Sequence, residues 1–505
     1  MKHLIFIITI LQAFSSLAQT NVLRGVVKDA ETQEVLPFTN IGVYGTSRGS
    51  VSNAEGEYVL NTEGLKETDL IVFSRMGYGI LKVSVQSLAG KNEVLLKMGS
   101  IQLTEFNVSD KDLSAKEIVE LVYENYNKNH PKLSHKQRLF VHKYENTPFD
   151  GKNQIKVKES DFEGINQKFL DDLFENLPEE IITYQDVLFD FYALKGNYKL
   201  NPIEGITLEE GSQKEFTKQA EQKLNTLIRD IENTQGNDEI YYQFKTGIFS
   251  IDLDTGNDST KKDSTIANIT DSTYLKLPLE TVQSTLVSLY YKYTNANSDN
   301  LEFINKPGKY KYKNEGYSMV NEEVVRRISF IPKRGGLYRG SLYVSTSNYA
   351  ILQIDYEYAE NKKSENFKLL GIGHAITYRK GRVQYEKGDG GYYVKYINAQ
   401  ENEFVSIERK FSIVKKKKRF LLDKQLKEFK MNTALFFETQ RKWEVLAINR
   451  EELNEDEFDK FEPPAQLKLK KQYAYSSDMW ENPSVIAPTK ELREYKRKEE
   501  DLLGE

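Results

Sequence analysis

The side chains able to do chemistry are few and scattered. Four histidines lie beyond the N-terminal apolar segment: His130, His135, His142 and His374. None stands in an HExxH or comparable ligand spacing, and His135 and His142 differ in parity, so an extended strand would turn them to opposite faces. They are expected to be surface or structural histidines rather than zinc ligands. Asp252, Asp254, Asp258 and Asp263 fall in a polar segment that looks like a calcium loop. An EF-hand needs Gly at the sixth loop position and Glu at the twelfth, whereas this segment offers Asn257 and Asp263, so a solvated hairpin loop is expected. Gly340-Ser341 lacks the flanks of a nucleophile elbow, and no GxxxxGK[ST] phosphate loop occurs. The chain has no cysteine, which removes thiol nucleophiles, disulfides and thiolate zinc sites together. Carboxylates are abundant, but sequence does not say which pairs come close enough for acid and base roles. No catalytic residue, metal ligand or cofactor is therefore assigned.

One charged run stands out. Lys415, Lys416, Lys417, Lys418 and Arg419 separate the apolar Phe411–Val414 from Phe420-Leu421-Leu422. Its plain reading is an exposed hairpin tip or a charged edge that blocks unwanted strand pairing. Its functional reading is contact with an anionic surface such as lipid headgroups.

The elements that would position these residues are mostly strands. Among 505 residues there are 31 Tyr and 26 Phe against 2 Trp, a composition that favours sheet. The net charge of −5 is spread along the chain in both signs, which argues against a nucleic-acid partner. Lys2 and His3 precede an apolar run, Leu4–Leu11, and Ser16-Leu17-Ala18 offers small residues for cleavage before Gln19. This reads as an export signal over 1–18, too short to span about 30 Å of hydrocarbon. No later apolar stretch is long enough to cross a membrane, so no transmembrane segment is expected in the mature chain, which is placed in the periplasm or at either face of the outer membrane.

From Asn21 to Lys97 short apolar runs alternate with Gly, Asn, Asp and Ser punctuation, the pattern of a small sandwich. Gly25-Val26-Val27-Lys28-Asp29, Leu36-Pro37, Asn40-Ile41, Val43, Gly45-Thr46, Gly49, Ser52 through Tyr58, Ser74 and Gly77-Tyr78 together resemble the carboxypeptidase regulatory-like domain, a transthyretin-like sandwich. The resemblance implies a non-catalytic module that commonly opens exported and outer-membrane proteins of the Bacteroidetes envelope. The receptor plug and barrel that often follow it are not read here.

Further along, Ser114 to Glu117 forms a capping box, predicting a helix with Ile118, Leu121, Val122 and Asn125 on one face and a stop at His130-Pro131. A second capping box, Ser212 to Glu215, precedes helical spacing through Ile231, and Phe162–Leu177 reads as another helix. From Glu239 almost to Phe437 the text is strand-like, with a hairpin around Ser345–Asn348. This part resembles the β-rich regions that follow the same domain in other envelope proteins and, in architecture alone, the half-barrels of periplasmic lipoprotein carriers.

The predicted fold class is mainly β with helical insertions: an N-terminal antiparallel β-sandwich followed by a larger curved antiparallel sheet or half-barrel. The expected divisions are a sandwich at 20–98, a linker with an amphipathic helix at 99–138, a β-rich domain at 139–461 with a helical insertion about 160–233, and a strap with a charged tail at 462–505. The leading expectation is a non-enzymatic envelope protein with a docking sandwich and a β-rich binding domain. Its partner is expected to be an outer-membrane protein, a lipid or a glycan. A lipid or lipoprotein carrier, and a glycan or peptide hydrolase, are the alternatives.

Overall fold

A computed structural model describes residues 22–99, 113–132, 134–149, 151–175, 177–209, 239–246, 249–253, 273–320, 323–420, 422–477, 479–480 and 486–495. The export signal, the helix expected after Ser212, Asp254, Asp258, Asp263 and the end of the charged tail lie outside these residues.

The N-terminal unit is two small sheets face to face. One runs in the order Gly49–Val51, Asn40–Val43, Leu70–Ser74, Leu81–Ser84, and the other in the order Glu57–Asn61, Val22–Asp29, Glu93–Leu96. All pairs are antiparallel except Val22–Asp29 with Glu93–Leu96, which is parallel. Val27, Ile41, Ile71, Phe73 and Leu96 close the core between them, with Tyr58 edge-on to Phe73. The turns explain the motif glycines: at Gly49 a Cβ would lie 2.5 Å from the Ile41 carbonyl oxygen, and Gly56 holds φ +75°. Asp29 and Tyr78, also in the motif, hold each other: the Tyr78 hydroxyl donates to Asp29 Oδ2 at 2.8 Å while the Glu31 and Thr32 amides cap Oδ1. The Thr32 amide bond leads in drawing the Asp29 pKa below its ordinary value, followed by the Tyr78 hydroxyl.

Among the described residues beyond the sandwich, 16 strands form one sheet that does not close. Its main path runs Tyr274–Pro278, Gln466–Gln472, Asn197–Glu209, Glu180–Leu194, His135–Pro148, Lys424–Glu452, Gly391–Lys417, Ile372–Gly388, Ile351–Tyr358, Tyr338–Ser345, Glu323–Pro332 and Tyr310–Val320. Two features depart from expectation. The span 160–233, read as a partly helical insertion, supplies two long strands, Glu180–Leu194 and Asn197–Glu209, that sit inside the sheet. The region read as strand after Glu239 contains the helix Leu279–Thr294. That helix is rich in Thr, Val and Tyr, which favour strands locally, but Leu279, Leu286, Leu289 and Tyr293 recur on one face and are buried.

The sheet has two differently used faces. Along each strand alternate side chains point to opposite sides. Val187, Phe189 and Phe191, Leu139, Ile397 and Val445 turn to the inner side, where the helices Ala115–Asn129 and Leu279–Thr294 and the short helix Glu302–Asn305 cover them. The first helix carries its full capping box, with Glu117 N–H donating to Ser114 Oγ and Ser114 N–H to Glu117 Oε2. It buries Ile118, Val119, Val122, Tyr126 and Asn129, so the packed face is rotated from the predicted one and leaves Leu121 and Asn125 half-buried. Phe303 is fully buried and stacks on Phe330 with ring centres 4.2 Å apart.

A charge pair sits inside this apolar layer. Arg379 is 3% exposed; its Nε donates to Glu401 Oε2 at 2.8 Å and its Nη1 to Asn300 Oδ1 at 2.7 Å. Asn300 belongs to the helical cover and Arg379 and Glu401 to neighbouring strands, so the pair ties cover to sheet. Removing one partner of such a pair strands the other charge without water. Glu401→Ala is expected to cost about 3–5 kcal/mol of stability, while replacing both residues by apolar ones costs less. Urea unfolding of the single and double variants checks this, and a single-variant loss under about 1 kcal/mol would contradict it.

Candidate functional site

The outer face of the same strands is where the sandwich sits. Phe38 stacks on Tyr396 with ring centres 6.1 Å apart, and Val51 joins Phe140, Leu188, Leu446 and Ile448 in a shared apolar contact. Polar bonds fix the seat: Gln384 Nε2 donates to the Phe38 carbonyl, Lys395 Nζ to the Ser47 carbonyl, and Ser47 and Arg450 exchange two bonds of 3.0 Å. The C-terminal segment wedges in beside it. Asn53 Nδ2 donates to the carbonyls of Ala487 and Pro488, Arg493 pairs with Glu57, and Trp480 packs edge-on to Phe140. Asn53 and Glu57 belong to the Ser52–Tyr58 motif, whose turn thus serves as the clasp for the strap.

Next to this seat the uncovered outer face is polar, and strand register builds it. Ser341, Asp355, Arg382, Asn398, Glu444, His142 and Asp186 stand directly opposite one another, one from each of seven consecutive strands. A parallel row runs Arg339, Glu357, Lys380, Gln400, Lys442, Tyr144 and Tyr184. At about 4.8 Å between strands each row is roughly 30 Å long. Cross-strand pairing of opposite charges organises them. Arg339 donates twice to Glu357 Oε1, at 2.9 and 2.7 Å, and Arg382 pairs with Asp355, whose second oxygen accepts from Gln353 Nε2 at 2.6 Å. The Arg382 guanidinium also lies 4.8 Å over the Phe38 ring, joining row to sandwich. Together with Glu55 of the sandwich and Thr489 and Glu491 of the strap, the rows bound a cavity of about 770 Å³. It is large enough for a ligand, and its floor is a carpet of charged, amide and tyrosine side chains.

The histidines do not converge. His142 lies in the first row with its Nδ1 against the Asp186 carboxylate. His374 Nε2 bonds Glu403 at 2.8 Å elsewhere on the sheet. His130 and His135 face a separate cavity of about 340 Å³ on the inner side, where tyrosines such as Tyr126, Tyr290 and Tyr385 are among the lining residues. There His130 Nε2 accepts from the Ile351 amide, and burial pushes its pKa down to about 3, keeping it neutral. Among the described residues no group of three His, Asp or Glu is placed to hold a metal ion. Asp252 stands in the strand Phe249–Leu253. The basic run divides: Lys415–Lys417 are strand residues, while Lys418 and Arg419 enter the turn, far along the hairpin from the groove.

The groove residues were missed in the sequence because each strand contributes one or two of them. A local signal does exist, since Asp355 and Glu357, or Lys380 and Arg382, are polar positions alternating with apolar ones. What aligns them is register, which no single strand carries.

Comparison with known proteins gives a limited result. Residues 23–108 match the CarboxypepD_reg-like domain family model, so the N-terminal sandwich is a domain of that type. No curated protein matches the sequence. Two solved structures are similar at 6% and 7% identity, covering 67% of this chain and 99% of those chains with TM-scores of 0.17 and 0.15: the crystal structure of MucB in complex with MucA(peri) and the complex structure of Pseudomonas aeruginosa MucA/MucB. Those scores carry no argument about fold or function.

The two buried histidines set a pH dependence. Burial works against a charged His142, but the Asp186 carboxylate, helped by Glu444, outweighs it and raises the His142 pKa above its ordinary 6.5. A raised histidine pKa gives stability that is complete below the unfolded value and is lost as pH rises through the folded one. His130, with a lowered pKa, acts the other way: it costs stability as pH falls from about 6.5 towards 3. Thermal unfolding is therefore expected to peak near pH 6.5. His374, where Glu403 likewise outweighs burial and raises the pKa, shares the alkaline limb. His142→Gln should therefore make the alkaline decline shallower and leave the acid one, and an unchanged alkaline limb in this variant would refute the assignment.

Proposed function

We propose that this chain is a non-catalytic binding protein of the cell envelope, exported by its N-terminal signal, that holds a polyhydroxylated polymer such as a glycan along the polar rows. The observation that carries this reading is the register-built floor of arginine, lysine, amide and tyrosine side chains beside the docked sandwich. Hydroxyl-rich ligands need many donors and acceptors at fixed positions, and the rows supply them. The open floor, from Arg339 to Tyr144, is roughly 24 Å long at about 4.8 Å per strand and suits several sugar units in line.

Two observations favour this over the alternatives. An acyl chain needs an apolar trough, and the apolar face of the sheet is filled by the chain's own helices, with Leu301, Phe303 and Ile304 fully buried. Acid–base catalysis needs a carboxyl poised to exchange protons, whereas in the rows Glu357 and Asp355 are each held by an arginine, Asp186 by His142 and Glu444 by the Tyr396 hydroxyl. The sandwich serves as a wall and clasp for the groove.

Binding to an array of envelope polysaccharides and soluble peptidoglycan fragments tests the reading. At least one glycan should bind, and Arg339→Ala or Arg382→Ala should each weaken it about tenfold or more, a loss of about 1.4 kcal/mol. Absence of glycan binding would overturn the ligand class, and cleavage of a bound glycan would overturn the non-catalytic role.

A further inference from the structure

The long hairpin points to a second surface, distinct from the groove. Its strands, Gly391–Lys417 and Lys424–Glu452, are anchored in the main core at Ile397 and Val445. They then run on for about 20 residues, roughly 60 Å at strand rise. Near the far end they carry a small lobe in which Phe162, Phe169, Leu170, Tyr242 and Phe429 pack together. Beyond that lobe the turn is bare, with Phe420 102% and Leu422 84% exposed. Soluble surfaces tolerate single exposed apolar side chains, but here a phenylalanine and a leucine stand together at the apex of a projection.

Around this apex basic side chains outnumber carboxylates, and Glu239 at the edge of the collar is paired with Lys417 at 2.9 Å. Lys415–Lys418 and Arg419 lie on one side of the turn and Lys424 and Lys427 on the other. The one carboxylate in the turn, Asp423, is engaged locally, accepting from the Tyr241 hydroxyl at 2.6 Å and the Arg419 amide at 3.1 Å. Tyr241 lies beneath the Lys418 ammonium group at the level of the basic collar, whereas Tyr242, beneath Lys415, is buried in the lobe. The strand that carries Lys415–Lys417 is not an edge. It is hydrogen-bonded on one side to Ile240–Thr246 and on the other to Lys424–Glu452. Its lysines therefore have no open edge to guard, which removes the usual structural reason for such a run.

We infer that this hairpin tip docks on an anionic lipid surface, with Phe420 and Leu422 entering the headgroup region and the surrounding lysines and Arg419 meeting lipid phosphates. The two halves are complementary. Basic residues near an anionic surface draw the tip in, and a shallow apolar apex of Phe420 and Leu422 fits the interface between headgroups and acyl chains. The inference is independent of the glycan reading, because the tip shares no residue with the groove.

Sedimentation of the full chain with vesicles of phosphatidylglycerol in phosphatidylethanolamine, against phosphatidylcholine alone, tests it. Binding is expected to the anionic vesicles and to fall as salt is raised. Charge reversal at Lys418, Arg419 and Lys424 is expected to weaken binding at least about tenfold, and Phe420→Ser with Leu422→Ser by a similar factor. Phe420→Trp should add blue-shifted emission with anionic vesicles, a readout that tip contact alone provides and that uses a chain carrying one exposed substitution. Equal binding to both vesicle types, no binding to either, or an emission from the Phe420→Trp chain that ignores vesicles would overturn the inference.

Discussion

Everything in the larger domain depends on the two-residue period of its long strands being satisfied on both sides at once. Residues such as Val445 and Ile397 require the helical cover, while their neighbours Leu446 and Tyr396 require the sandwich. A slip of one residue in the hairpin would send apolar side chains into the polar rows and charges into the helix layer. Two-sided burial therefore fixes register more firmly than hydrogen bonds along the strands could. The polar rows inherit that accuracy without paying for it separately.

The buried Arg379–Glu401 pair adds to this restraint. Asn300 at its edge makes the helical cover responsible for completing a charge network that begins in the sheet. Tyr338, Tyr293 and Tyr358 surround it, and burial leads in raising the pKa of each hydroxyl, so the environment is one in which a misplaced charge would find little solvent. The outer face is organised differently. Its ion pairs are partly solvated and individually weak, and they serve more to hold side chains in line than to stabilise the fold.

The sandwich was legible because its information is local. Gly49 and Gly56 are demanded by backbone approach and positive φ, and Asn53 and Glu57 sit in the same turn, so the requirement is written where it acts. The first helix was equally legible from Ser114 and Glu117, although its buried face turned toward Val119 and Tyr126 once the sheet was present. The helix Leu279–Thr294 was hidden by residues that favour strands, and the strands Glu180–Leu194 and Asn197–Glu209 were hidden between segments of helical spacing. In the helix tertiary burial overrode local preference, whereas the strands, with Ile181, Ile182, Thr183, Val187, Phe189 and Phe191 in the first, follow theirs. The groove was least legible, since Asp186 and Glu444 meet His142 only through pairings between distant strands.

The clasp between the Asn53 turn and the strap joins residues more than 430 positions apart, and one wall of the groove is made from that strap. The sandwich can gather its own core early, but its seat beside Ile486 and Trp480 forms only after nearly all of the described chain is available. Assembly of the groove is thus a late event by construction. A chain clipped before Ile486 would present a folded first domain and a groove lacking the wall that Thr489 and Glu491 supply.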